Sequence, residues 1–275
     1  LCLLPNLHYL NVSNNQLQDL SDIGLPTSPD CTIGLGSLDL SHNQLRAVNS
    51  GALETVRHLK ALFLQNNQIS QVHDGALRGL ANLKSLDLSG NEIVALPASL
   101  FEDTPQLQQL KLDNNQLSVI SSRLFNPLNS LIILDLSDNI LQTGCETCIT
   151  KKSFKGLERL VVLNLAGNKL SQLKPAMFED LRNLQSLDIS RNSIDAIPEG
   201  AFRSLSNLYS LQLARNKISE LSLGSLRGMQ RLTSLDLQNN SIVNVHKGSF
   251  QNLTFLQDLN LFKNLGASGP RSFGQ

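Results

Sequence analysis

Eleven asparagines constrain this chain more than any other feature. Asn15, Asn43, Asn67, Asn91, Asn115, Asn139, Asn168, Asn192, Asn216, Asn240 and Asn264 follow one another at spacings of 28, 24, 24, 24, 24, 29, 24, 24, 24 and 24 residues. Each closes the same pattern, plainest where Leu131, Leu134, Leu136, Asn139 and Leu141 spell L-x-x-L-x-L-x-x-N-x-L. Leu134 and Leu136 alternate with Ile133 and Asp135, the period of a short strand with its leucines turned inward. Asn139 ends the strand in a turn, where its amide can satisfy buried backbone groups of its own turn and of the next one. One such unit cannot bury its own apolar edge, so others must stack on it.

Motif and period are those of the leucine-rich repeat. They predict an α/β leucine-rich-repeat solenoid, a right-handed horseshoe. Its parallel sheet lines the concave face, and short turns or 3₁₀ pieces form the convex one. Residues 1–264 are expected to form one array of eleven repeats, an uncapped fragment of a longer array, with 265–275 as an irregular tail. A second ladder runs along the return path: Phe101, Phe125, Phe154, Phe178, Phe202 and Phe250 each precede the next repeat's first leucine by six residues. Leu53, Leu77 and Leu226 hold that slot elsewhere, and the set is expected to stack as an apolar spine. With aromatics at 4% and no tryptophan, leucine supplies most of the remaining core.

Two stretches break the period. Four extra residues fall between Asn15 and Leu35, around Pro26, Pro29 and Cys31; five fall between Asn139 and Phe154, at Gln142–Cys148. Both are expected to loop from the convex or lateral surface, either as neutral loops or as contact elements.

Cys2 precedes Leu7 by five residues and Cys31 precedes Leu35 by four, so the two occupy nearly equivalent places on consecutive repeats. One stacking step matches the Cα separation of a disulfide. Cys145 and Cys148 lie about four repeats away, which leaves Cys2–Cys31 with Cys145–Cys148 as the internal pairing. Cysteines outside this sequence, or free thiols, are the alternatives. A redox or zinc role for Cys145 and Cys148 lacks the helix N-terminus or the second ligand pair that it needs. Asn11, Asn239 and Asn252 head N-x-S/T sequons on accessible rows and are candidate glycosylation sites, although three such triplets also arise by chance in an asparagine-rich chain.

Twenty-three basic and 23 acidic residues cancel, so no net field favours nucleic acid or an anionic membrane. No apolar run approaches the ~20 residues of a membrane span. The opening LCLLPNLHYL has neither basic region nor cleavage site and does not read as a signal peptide. The five histidines fall in unrelated repeat slots, no nucleophile–base pair recurs, and no phosphate-binding glycine loop is present. The expectation is no enzyme, no cofactor and no metal, leaving the surface to carry function.

The central concave row reads Asn11, Asp39, Phe63, Asp87, Lys111, Asp135, Asn164, Asp188, Gln212, Asp236, Asn260. Its aspartates are either a favoured filler of the repeat or a recognition stripe. Arg191, Arg215 and Lys263 add a weak basic edge. The row beside it is mostly serine and alanine, interrupted where Ile132 and Ile133 stack against Val161 and Val162. An apolar patch on a polar floor marks a candidate protein contact; extra core filling beneath the Gln142–Cys148 insertion is the other reading.

A narrower resemblance attaches to Thr143–Ser171, TGCETCITKKSFKGLERLVVLNLAGNKLS, within its regular 24-residue surroundings. Over roughly residues 1–264 the chain resembles the ectodomain of the insect Toll receptors. That resemblance implies a single-pass receptor for innate immune or developmental signalling, exposed on the extracellular side of the plasma membrane. It implies a protein ligand, such as a Spätzle-type cystine-knot cytokine, and receptor dimerisation. Membrane contact would come only through parts of the parent protein absent from this sequence. A leucine-rich-repeat cell-adhesion or axon-guidance protein, secreted or surface-bound, is the alternative.

Overall fold

The computed structural model describes residues 1–26, 31, 33–144, 149–150, 152–175 and 177–264. Eleven three-residue strands, from Tyr9–Asn11 to Asp258–Asn260, form one parallel sheet whose strand order is the chain order. Register is kept across both long spacings: Leu10 pairs with Leu38, and Leu134 with Leu163. The return paths are turns, with one 3₁₀ turn at Leu20–Ile23; among the described residues there is no α-helix. Two-residue parallel pairs, Ala47–Val48 with Gln71–Val72 and Glu220–Leu221 with Asn244–Val245, add small sheets beyond the strand turns.

The core is one continuous stack. The middle leucine of each strand turns inward, and Leu38, Leu62, Leu86, Leu110, Leu134, Leu163, Leu187 and Leu211 are fully buried. Phe101, Phe125, Phe154, Phe178 and Phe202 form the expected spine, with Phe154, Phe178 and Phe202 stacked at centroid separations of 6.2 and 6.3 Å. A coil on each side keeps this ladder dry. Leu235 is 1% exposed, whereas its equivalent Leu259, with a neighbouring strand on one side, is 42% exposed.

The turn asparagines tie each coil to its predecessor, not to the coil that follows, contrary to the sequence-based expectation. Asn139 Nδ2 donates to Leu136 O and Ser137 O of its own turn and to Leu112 O one coil back, at 3.1, 3.1 and 2.9 Å. Its Oδ1 accepts from Leu117 N–H, also one coil back. The cause lies in the strand ladder. Leu112 donates its N–H forward to Asp135 O, but its carbonyl meets no strand N–H, and two side-chain amides, Asn115 of its own turn and Asn139 of the next, supply the donors. The same backward link recurs from Asn43 to Asn264.

Just before each of these asparagines the backbone turns left-handed. His42, Asn66, Asn114, Asp138, Arg191, Arg215, Asn239 and Lys263 all have φ between 51° and 56°, and Gly90 and Gly167 hold the slot at 63° and 65°.

Candidate functional site

Residues two apart along a strand share a face, so each coil contributes an ordered set of side chains to the concave surface. The central row is the one read from the sequence, and the structure gives its aspartates a local task. Asp39, Asp87, Asp135, Asp188 and Asp236 each accept, through Oδ1, the backbone N–H two residues on. Asn11, Asn164 and Asn260 do the same. This is the Asx arrangement that ends a strand in a turn. It accounts for eight of the eleven positions without a ligand. Phe63, Lys111 and Gln212 occupy the row without that bond, so the bond is helpful rather than obligatory.

Charge concentrates at its middle. Lys111 Nζ lies 3.5 Å from Asp87 Oδ2, and Asn164 Nδ2 donates to Asp135 Oδ2 at 3.2 Å. Two residues past Lys111, where the strand has ended, Asp113 is half-buried and accepts from Asn114 Nδ2 at 2.8 Å. Desolvation by burial pushes the Asp113 carboxyl above the usual carboxylate range, and the nearby Asp135 and Asp87 charges push it the same way against that hydrogen bond. The sequence reading passed over Asp113. Its only signal was an acid where neighbouring coils carry Ser89 and Ser137.

Beside this acidic centre lies the aliphatic group. Ile133 and Val162 are register partners on adjacent strands, and Ile132 O accepts from the N–H groups of both Val161 and Val162, at 2.9 and 3.0 Å. Ile132 is 39% exposed; Ile133, Val161 and Val162 are part-exposed. All four therefore reach the surface of the sheet, framed along their rows by Gln108 and Gln109 on one side and Gln185 and Ser186 on the other. Core filling around the insertion is done by another residue: Ile149 is buried, and its N–H donates to Gln142 O. Thr143 Oγ1 pins that segment to the next coil by accepting from Ser171 and Gln172 N–H. Cys145 and Cys148 lie outside the described residues.

The other sequence candidates are scattered over the coils. Cys2 and Cys31 form a disulfide with a Cα separation of 5.5 Å. Asn11 is exposed, but its side chain is engaged with Ser13 and Tyr9. Asn239 is part-exposed in a left-handed turn, and Asn252 is exposed on the return path. The basic edge is not a free stripe: Arg191 makes a bidentate ion pair with Asp138, at 2.7 and 3.0 Å, two coils back. Gly167 lies beneath that pair, where a Cβ would collide with the Asp138 carboxylate and lie 3.1 Å from Arg191 Nη1. Neither end of the bridge was legible as a pair, because 53 residues separate them. Among the described residues no three His, Cys, Asp or Glu side chains converge as metal ligands.

A family model described as "Leucine rich repeat" matches residues 33–93, 81–141, 147–194 and 182–242, and a second of the same description matches 6–27. No curated protein sequence matches the chain. Among solved structures, a chain of the TLR13–ssRNA13 complex is 29% identical with a TM-score of 0.81, over 89% of this chain and 34% of that one. A chain of the Drosophila Toll–Spatzle complex is 25% identical with a TM-score of 0.86, over 95% of this chain and 34% of that one. One from the octameric complex of Latrophilin 3, Unc5D and FLRT2 is 26% identical with a TM-score of 0.81, over 94% of this chain and 75% of that one. The chain therefore spans about a third of the TLR13 and Toll chains. With matched models running along most of its length and the asparagine-closed coils they describe visible throughout, the chain belongs to the leucine-rich repeat family.

Proposed function

We propose that this chain is an extracellular, non-enzymatic segment of a Toll-like receptor that binds a protein ligand or a second receptor chain through its concave surface, in innate immune or developmental signalling. The observation that carries the reading is the likeness to the Toll chain solved with Spatzle, over 95% of this chain. The exposed aliphatic group at Ile132, Ile133, Val161 and Val162 supplies a place for such a contact. An oxidising compartment is supported by the Cys2–Cys31 bridge and by the Asn11, Asn239 and Asn252 sequons. Those sequons fall in the first and the tenth of the eleven coils, so glycans there would leave the centre of the sheet open.

A protein partner suits the surface better than RNA, although the TLR13 chain was solved with ssRNA13. Five aspartates stand against Lys111 in the central row, an arrangement that repels a polyanion. The FLRT2 complex favours a second reading, a leucine-rich-repeat adhesion or guidance protein.

Surface plasmon resonance against a Spätzle-type cystine-knot dimer tests the first reading. Binding that the Ile133→Asp/Val162→Asp pair abolishes, with unchanged circular dichroism, supports it. Absence of binding, together with clustering of cells that display the protein, favours adhesion and overturns it. In the parent protein, a TIR domain beyond a membrane span separates the two readings independently.

A further inference from the structure

We infer that the aliphatic group and the carboxylates beside it form one composite docking surface, for a partner segment that presents a lysine or arginine next to an apolar side chain. This rests on reading the chain as a protein-binding ectodomain and specifies what the partner must carry.

The geometry is that of the sheet. Ile133 and Asp135 point to the same face of one strand, roughly 7 Å apart, and Val162 and Asn164 repeat them on the next, about 4.8 Å across. On the other side Lys111 is in register with Asp135, and Asp113, two residues past the end of that strand, lies close enough to Asp135 and Asp87 to be raised by their charges. Apolar and acidic parts are thus neighbours within the reach of one side-chain pair. Along three successive strands Asp87, Lys111 and Asp135 are register neighbours, and the ion pair of Lys111 is with Asp87.

Asp135 is served by neutral donors, the Ser137 N–H and Oγ and the Asn164 amide; Asp113 is served by the Asn114 amide. Two carboxylates therefore stand part-buried with no cation against them among the described residues, directly beside part-exposed aliphatics. A partner's cation offsets the cost of keeping Asp113 ionised, a carboxyl raised first by burial and then by the charges of Asp135 and Asp87. The cation's apolar neighbour covers Ile132, Ile133, Val161 and Val162. An acidic partner segment is repelled, and a purely apolar one leaves the carboxylates desolvated and uncompensated.

The test uses the protein and a phage-displayed library of short random peptides. Two double variants serve as counter-targets: Ile133→Ser/Val162→Ser and Asp113→Asn/Asp135→Asn. The latter keeps an Oδ1 acceptor for Ser137, and circular dichroism checks the fold of both. Selected peptides are expected to pair a basic residue with an aliphatic or aromatic neighbour. They should lose about tenfold or more in affinity for each variant, with a salt dependence that the Asn pair removes. Peptides without a basic bias, or peptides indifferent to both variants, overturn the composite surface but leave protein binding elsewhere on the array intact. Failure of the protein to engage either a cystine-knot dimer or a cell surface overturns the reading beneath it. Concentration-dependent self-association that both variants abolish assigns the surface to a second copy and overturns the proposal.

Discussion

The chain carries two ladders of side-chain carbonyl oxygens, one inside the turns and one on the concave face, and they do different work. The turn asparagines reach one coil back and hold two coils together through buried bonds at both ends of the amide. The concave Asp and Asn residues accept chiefly from the N–H two residues forward, within their own coil, with cross-coil contacts confined among the described residues to Asn164–Asp135 and Lys111–Asp87. The first ladder needs both a donor and an acceptor, so asparagine occupies all eleven positions. The second needs an acceptor alone, tolerates Phe63, Lys111 and Gln212, and is therefore the row on which specificity can vary without loss of the fold.

That contrast is open to direct test on one coil. Asn139→Ala strands Leu117 N–H in a buried turn, removes one of the two donors that serve each of Leu112 O, Leu136 O and Ser137 O, and should cost about 3 kcal/mol, read as a lowered denaturation midpoint. Asp135→Ala, four residues earlier, removes a partly exposed acceptor and should cost about 1 kcal/mol. Equal losses for the two would collapse the distinction. Asn15 sharpens it from the other side. This asparagine is exposed and donates only to Val12 O and Ser13 O of its own coil, so Asn15→Ala should cost about 0.5 kcal/mol in the same assay.

The smallest effect has the opposite sign. Folding raises the Asp113 carboxyl above its unfolded value, so ionising it costs the folded state. That cost is absent below the ordinary carboxylate range and is felt in full once pH exceeds the raised value. Asp113→Asn should therefore melt slightly higher than the parent protein at pH 7, and the difference should vanish below about pH 4. A gap that persists in acid would assign the gain to packing instead of charge.

The solenoid, its strand positions and the phenylalanine spine were legible because they rest on periodicity, and a period needs no knowledge of partners in space. The direction of the asparagine link was not legible. The L-x-x-L-x-L-x-x-N-x-L pattern names the amide but not which neighbouring carbonyl the strand ladder leaves without a donor. The same holds for the candidate site. Ile132, Ile133, Val161 and Val162 stood out as breaks in a polar pattern, whereas Asp113 and the Asp138–Arg191 pair acquire meaning only once coils are stacked. The left-handed turn slot left a faint mark, since Asn14, Asn66, Asn114 and Asn239 all precede another asparagine, but the His, Asp, Arg and Lys residues that share the slot obscured it.

The bridge over Gly167 has a mechanical consequence. A stack in which every coil touches only its two neighbours unravels like a zipper, one unit at a time, and its stability is a sum of adjacent-pair terms. Arg191 and Asp138 skip a unit, so one bidentate surface contact links the coil closed by Asn139 to the coil closed by Asn192, across the one closed by Asn168. The coil carrying the long insertion is thus one end of a link that spans a unit, and opening that passes it must break one contact on the order of 0.5 kcal/mol that no adjacent-pair sum contains.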